Sequence, residues 1–389
     1  MRLSRRTFAL SAVTVAAVIA VLFVVAHMKQ KGEEPIKIGL VTTLTGPAST
    51  AGILSRNGAL LAIEQVNERG GVNGRRVEPI VRDDKADPSE ALRVDTELIN
   101  KGVVAFLGHY LSSISVKVVP LMNEHNMLML SLGAATGDLY GLDDSFVRVC
   151  LANNVRTPLA ARETYRRLGV RKVTVVYDLN NAAYTQSVLD LYRAEFERLG
   201  GEVVKTVPFY SKRNFYAPGI AEELVNSGAE GIFIITDALH GALICQHVRK
   251  RSASIPIIAS AWASVVPEFI LYGGGAVEGV LSVVECNDGS MNPTYLAFKK
   301  AYRDRFGQEP RLHAQNAYDV TTILLKALEK TTDPNKLKEV LLKQGEFQGV
   351  DGMIRIDRNG EPIRPVYLMQ IQNGRMQVIE TLSPTIGEE

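Results

Sequence analysis

The chain has few of the residues that carry covalent chemistry. It holds three cysteines, one tryptophan and six histidines in 389 residues. An odd number of widely spaced cysteines is no disulfide framework. Cys245 lies in a helical pattern and reads as packing, while a Cys150–Cys286 bridge stays open. No CxxC and no HExxH occurs, and the histidines are scattered. There is no GxSxG elbow and no GKS or GKT phosphate loop. Gly273–Gly279 is glycine-rich, but it does not follow a strand and open a helix, so it is no dinucleotide fingerprint. Asp83-Asp84 have no further clustered acids and read as a turn before Pro88 rather than a metal site. No nucleophile stands at a recognisable spacing from a base. Neither an enzyme, nor a cofactor, nor a metal is expected. Excess charge is lacking too: 44 Lys and Arg against 42 Asp and Glu leave +2, which argues against a nucleic-acid partner.

One long apolar run is present, at the start. Arg5-Arg6 precede Phe8–Ala26, which carries no charge. A positive region followed by an apolar one is the pattern of an export signal. Ser4-Arg5-Arg6-Thr7-Phe8 also resembles a twin-arginine signal, and Val24-Val25-Ala26 offers small residues for cleavage. The run is about as long as the ~20 apolar residues that span a bilayer, so residues 8–26 as an uncleaved inner-membrane anchor is the competing reading. No cysteine follows for lipid attachment. In either case the remainder is expected in the periplasm.

Beyond Pro35, strand and helix patterns alternate. Ile36–Thr42, Val77–Arg82, Val103–Leu107 and Met127–Leu130 read as strands, separated by helices over Gly52–Glu68, Pro88–Lys101 and Ile114–Glu124. A second series has strands at Val173–Tyr177, Val203–Val207, Gly231–Ile235 and Ile255–Ala259, again separated by helices. This spacing means right-handed βαβ units and largely parallel sheets, hence two α/β lobes. The rest is strand Val280–Val284, helices Pro293–Phe306, Ala314–Glu329 and Pro334–Leu342, and a terminal hairpin. In that hairpin Met353–Ile356 and Val366–Ile371 flank Asp357–Gly360. These pieces are too small for a third domain and are expected to return to the two sheets. Several chain crossings between lobes make a hinge.

In open α/β sheets, ligands bind beyond the carboxyl ends of strands. In the first lobe those ends are Thr42–Pro47, Gly108–Ser113 and Ser131–Thr136, rich in hydroxyls, glycine and free N–H groups. In the second they are Asp178–Tyr184, Thr236-Asp237 and Ser260–Trp262, with aromatics and carboxylates. Ser112 and Ser113 stand where a helix begins, a ready anion site; the same hydroxyls serve as caps, and the two roles are compatible. Gly133-Ala134-Ala135-Thr136 is either a second anion loop or an ordinary turn. Asp178 and Asp237 each suit capping of the following helix. Tyr184 and Trp262 suit packing as well as a ligand wall. The division fits a small zwitterion, its carboxylate on the first lobe and its amine near an acid on the second.

Taken together, several segments resemble the leucine/isoleucine/valine-binding proteins, the type I periplasmic solute-binding family of ABC importers. They are Ile36–Leu40 leading into Thr45-Gly46-Pro47, Asn67–Gly74, Asp83-Asp84 with Asp87-Pro88, Gly108-His109 with Ser112-Ser113, and Gly133–Thr136. The resemblance spans about residues 36–385. It implies a periplasmic binding protein type I clamshell, two Rossmann-like lobes joined by a three-stranded hinge. Residues 1–34 are then signal peptide or anchor, 35–151 with 285–355 lobe 1, and 152–284 with 356–389 lobe 2. It implies that Ser112 holds a ligand carboxylate and that Gly133, Ala135 and Thr136 supply backbone groups and a hydroxyl. The second lobe departs from the family pattern. Ala51 and Ala182 stand where aromatics are usual, with Tyr184 two places on. The position of an acidic amine partner falls near Ala261-Trp262, which leaves Asp237 to take that role.

The expectation is therefore an extracytoplasmic solute-binding protein that captures an amino acid of branched-chain type, or a similar small carboxylate, for an ABC permease. It is expected to act as a monomer, with no nucleic acid involved. The rivals are a membrane-anchored ligand sensor built on the same clamshell and a binder of aromatic acids, for which Trp262 would stack on the ring.

Overall fold

A computed structural model gives the fold and describes residues 34–46 and 48–383. The expected signal or anchor segment lies outside the described residues apart from Glu34. Among the described residues no helix is long and apolar enough to cross a membrane.

The first half runs β1 (Ile36–Thr42), α1 (Ser49–Glu68), β2 (Val77–Asp83), α2 (Pro88–Asn100), β3 (Phe106–Leu107), α3 (Ser112–Glu124), β4 (Met129–Ser131) and β5 (Phe146–Arg148). The strands form one parallel sheet in the order β2-β1-β3-β4-β5. The inner strands are apolar along almost their whole length, as strands covered on both faces must be. Helix α2 starts where Asp87 accepts a bond from the Glu90 amide at 2.8 Å, with Pro88 pre-set for the first turn.

The second half runs α4 (Asn153–Arg166), β6 (Lys172–Asp178), α5 (Ala182–Arg198), β7 (Glu202–Phe209), α6 (Ala217–Val225), β8 (Gly231–Ile235) and α7 (Ala238–Arg249). There follow β9 (Ile257–Ala259), α8 (Ala261–Ser264), α9 (Pro267–Gly273) and β10 (Leu281–Val284). Next come α10 (Pro293–Phe306), α11 (Leu312–Leu328) and α12 (Pro334–Gln344). The chain finishes with β11 (Glu346–Gly349), β12 (Gly352–Ile356), β13 (Pro362–Ile363), β14 (Val366–Gln372) and β15 (Arg375–Leu382). The second sheet has the order β15-β14-β10-β9-β8-β6-β7, with β14 running antiparallel to both its neighbours, β10 and β15.

Helices α10 and α11 return to the first lobe, where α11 packs along α1. The small sheet β11-β12-β13 joins the same side, since Phe347, Ile354 and Ile356 share a core with β1 and α11. The chain therefore passes between the two large sheets after β5, after β10 and after β13.

Two local expectations are corrected. The terminal hairpin does not form as expected: β12 pairs with β11 and β13, whereas β14 pairs with β10 and β15. The turn at Asp357–Gly360 is real and brings β13 back onto β12, but Pro365 follows that short strand and lacks an N–H, so pairing stops and the chain changes sheet. Helix α3 begins at Ser112 itself, with Leu111 as its flanking residue, so the two serines do not cap it through their side chains. All three cysteines are buried and free, so Cys150 and Cys286 are not bridged.

Candidate functional site

The carboxyl ends of the first sheet are tied together by Asp84, which does more than make a turn. One of its oxygens accepts from the Thr43 hydroxyl at 2.7 Å and the Ala86 amide at 3.0 Å. The other meets His109 Nδ1 at 2.8 Å, while His109 Nε2 meets Asp95 at 3.0 Å. All three side chains are fully buried. Burial alone would discharge the imidazole, but Asp95 and Asp84 outweigh it and raise its pKa to about 10. An imidazolium between two acids thus fixes the backbone that leads to Tyr110 and Ser112.

The loop after β4 is held from two sides. Ser131 Oγ accepts from the Ala134 amide at 2.8 Å, closing a tight turn. Arg148, at the end of β5, donates to the carbonyls of Ala134 at 3.2 Å and Thr136 at 3.0 Å. Gly133 lies against the Tyr110 ring so closely that a Cβ there would sit 2.8 Å from it.

The two lobes touch around this loop. The Ser113 amide donates to Asn181 at 3.1 Å, and Ser113 Oγ accepts from the Ala183 amide at 3.1 Å. Thr136 donates to the Ala183 carbonyl at 2.7 Å, and the Gly137 amide donates to Ser187 at 2.9 Å. Further out, the Thr50 hydroxyl donates to Glu268 at 2.6 Å and Lys212 to the Ala86 carbonyl at 3.1 Å.

Between the lobes lies a narrow cleft walled by both of them. From the first lobe, Tyr110, Ser112 and Gly133 line it; from the second, Asn181, Tyr184 and Trp262 do. Tyr110 meets His313 edge-on at 5.0 Å, and Tyr184 meets Trp262 edge-on at 5.6 Å. The floor is a buried polar chain. Arg156, in the first turn of α4, contacts Glu285 at 3.0 Å, and Asn316 of α11 donates to the other oxygen of Glu285 at 3.3 Å. Asn316 also accepts from Arg364 at 3.0 Å, which donates to the Val149 carbonyl at 3.0 Å. One network thus joins all three crossings of the chain. Burial lowers the His313 pKa to about 4, so this imidazole is neutral, and neither ring nitrogen has a protein partner.

Of the residues singled out from sequence, Ser112, Gly133, Tyr184 and Trp262 line this cleft. Ala134, Ala135 and Thr136 lie behind it: the Ala135 amide donates to Ser112 Oγ at 3.2 Å. Ser113 bridges the lobes. Asp237 faces a neighbouring recess with Thr50, Ala51 and Glu268, beyond Tyr110 and Trp262. There it caps α7 through the His240 amide at 3.1 Å and bonds His240 Nδ1 at 2.6 Å. Asp178 likewise caps the turn before α5 through the Asn180 amide at 2.9 Å. Sequence reading passed over Arg156, Glu285, His313 and Asn316. Glu285 was within reach, because it follows the end of strand β10 directly, where ligand groups are sought.

Two sheets meeting end to end across a lined cleft, with three connections between them, define a two-lobed binding protein. A family model described as periplasmic binding protein matches residues 35–375, and the chain belongs to that family. It is 26% identical over 342 residues to a Leu/Ile/Val-binding protein homolog of Brucella melitensis, covering 86% of this chain and 89% of that one. Its fold matches a leucine binding protein of Thermotoga maritima with a TM-score of 0.82 at 27% identity, over 90% of this chain and 99% of the other. It matches equally well, at 0.82 but 17% identity, a solute binding protein of an ABC transporter from R. palustris in complex with benzoate, over 90% and 97% of the two chains.

Proposed function

We propose that this protein captures a small carboxylate, an amino acid or a similar acid, outside the cytoplasmic membrane and delivers it to an ABC permease. The observation that carries this reading is the cleft itself: its walls come from the strand ends of both lobes, and the lobes hydrogen-bond to each other around it. A ligand that touches Ser112 on one side and Tyr184 or Trp262 on the other binds the closed form better than an open one. It therefore shifts the population toward closure. The closed form is what a permease recognises, and no bond is made or broken in the ligand. The relatives named above include binders of branched-chain amino acids and of an aromatic acid, and a small carboxylate is common to both.

The test is a thermal-shift screen of amino acids and aromatic acids against the purified protein. A ligand that binds only the folded state raises the melting temperature by mass action, by about 2.7 kcal/mol of stability at a hundredfold excess over Kd. A screen in which no small carboxylate moves the transition would end this reading.

A further inference from the structure

The charges of the cleft are not equally open to a ligand. The Arg156 side chain is 8% exposed and the Glu285 side chain 0%. Both Glu285 oxygens are engaged, one by Arg156 and one by Asn316. Arg156 makes one hydrogen bond to Glu285, and a guanidinium has five N–H donors. Both residues line the cleft, the arginine as the more exposed of the two and the glutamate as its fully buried counter-charge.

The other acids near the cleft do not line it. Both Asp237 oxygens are held by His240. Asp178 lies outside the cleft lining, with one oxygen on the Asn180 and Ser211 amides and the other buried without a partner. Glu268 sits in the recess beyond Tyr110 and Trp262, one oxygen bonded to Thr50 and the other buried without a partner. An ammonium group in the cleft would lose its water and meet in the lining only Glu285, whose oxygens are already engaged, which is costly. The walls, by contrast, suit a flat apolar body: two edge-on ring pairs, Tyr110–His313 and Tyr184–Trp262, with Leu312 between the elements. His313 is 6% exposed with both ring nitrogens unpartnered, a polar point awaiting a group that the protein does not supply.

We infer that Arg156 is the charged group that reads the ligand, and that the ligand is an aromatic monocarboxylate with no amine beside its carboxylate. The inference rests on the small-carboxylate reading above and narrows it. Glu285 and Asn316 act as positioning residues, holding the guanidinium toward the cleft.

Trp262 is the chain's single tryptophan and lines the cleft, so its fluorescence reports binding directly. Titrations of the protein with benzoate, phenylalanine and leucine test the ligand class. Benzoate is expected to bind at least roughly tenfold more tightly than either amino acid, as expected when a buried charge finds no partner. Leucine or phenylalanine binding as tightly as benzoate overturns the inference and leaves the small-carboxylate reading standing. Failure of benzoate and every other small carboxylate overturns both. Arg156→Gln is expected to weaken benzoate by roughly tenfold or more, the scale of a lost bond to a charged group; an unchanged Kd removes Arg156 from the site. Benzamide on the unaltered protein makes the same point without a substitution. It has the same shape and no charge, so it should bind far more weakly than benzoate, and equal affinity would refute the role of Arg156.

Discussion

Arg148 and Glu361 lie 213 positions apart and form a two-point ion pair, Nε to Oε2 and Nη2 to Oε1, each 2.7 Å. The guanidinium is fully buried, and its remaining nitrogen holds the carbonyls of the loop after β4. The pair thus sets the position of Gly133 in the cleft from a turn near the end of the chain. Removing the acid leaves a buried charge without its partner. Glu361→Ala is expected to cost roughly 3–5 kcal/mol of stability, measured by urea unfolding. A loss under about 1 kcal/mol, the scale of an exposed pair, would show that the pair carries no such weight.

His109 makes stability depend on alkaline pH. Its pKa is raised to about 10 in the folded protein, above the ordinary 6.5, by two carboxylates that outweigh burial. The stabilisation is therefore fully present below about 6.5 and is lost as pH rises through about 10. Unfolding curves at pH 7 and pH 10 should show the protein losing stability at the higher value. His109→Gln, already weaker at pH 7, should lose less between the two.

His313 acts in the opposite direction. Its pKa lies near 4 because burial disfavours the charge, so the unfolded chain takes up a proton first as pH falls below about 6.5. The wild type should lose stability between pH 6.5 and 4, and His313→Leu should lose less over that range. Parallel pH profiles for the two proteins would exclude this role.

Ser112 Oγ accepts from the Ala135 amide while lining the cleft. Ser112→Ala removes a hydroxyl from the ligand and a partner from a buried N–H. Binding should weaken by roughly 1–3 kcal/mol, read by calorimetry with the tightest ligand of the screen.

Asp237 holds the start of α7 rather than the cleft. Asp237→Ala should cost roughly 0.5–2 kcal/mol of stability, as loss of a helix cap does. Affinity ratios between ligands with and without an amine should stay as they are; a selective loss for amine-bearing ligands would put Asp237 in contact with the ligand after all.

Much of the architecture was legible because it follows from local periodicity. Ile36–Thr42, Gly231–Ile235 and Pro293–Phe306 have the bounds their patterns suggest, since apolar runs and a leading proline act within a few residues. The short strand β5 and the edge strand β15 escaped notice. The first has three residues, and the second is half polar because one face meets water. The strand-end rule located the serine and glycine of the first lobe and the aromatics of the second. It overlooked Arg156, whose importance depends on a glutamate 129 positions away.

What the sequence determined by itself was the alternation of strands and helices, and with it two largely parallel sheets whose carboxyl ends carry hydroxyls on one lobe and aromatic rings on the other. Only the tertiary structure decided which charges face the cleft. Asp237, Glu285 and Arg156 are equivalent as letters. Packing draws the first into a helix cap and pairs the second with the third at the cleft floor, because a side chain's exposure is settled by neighbours that lie far away along the chain.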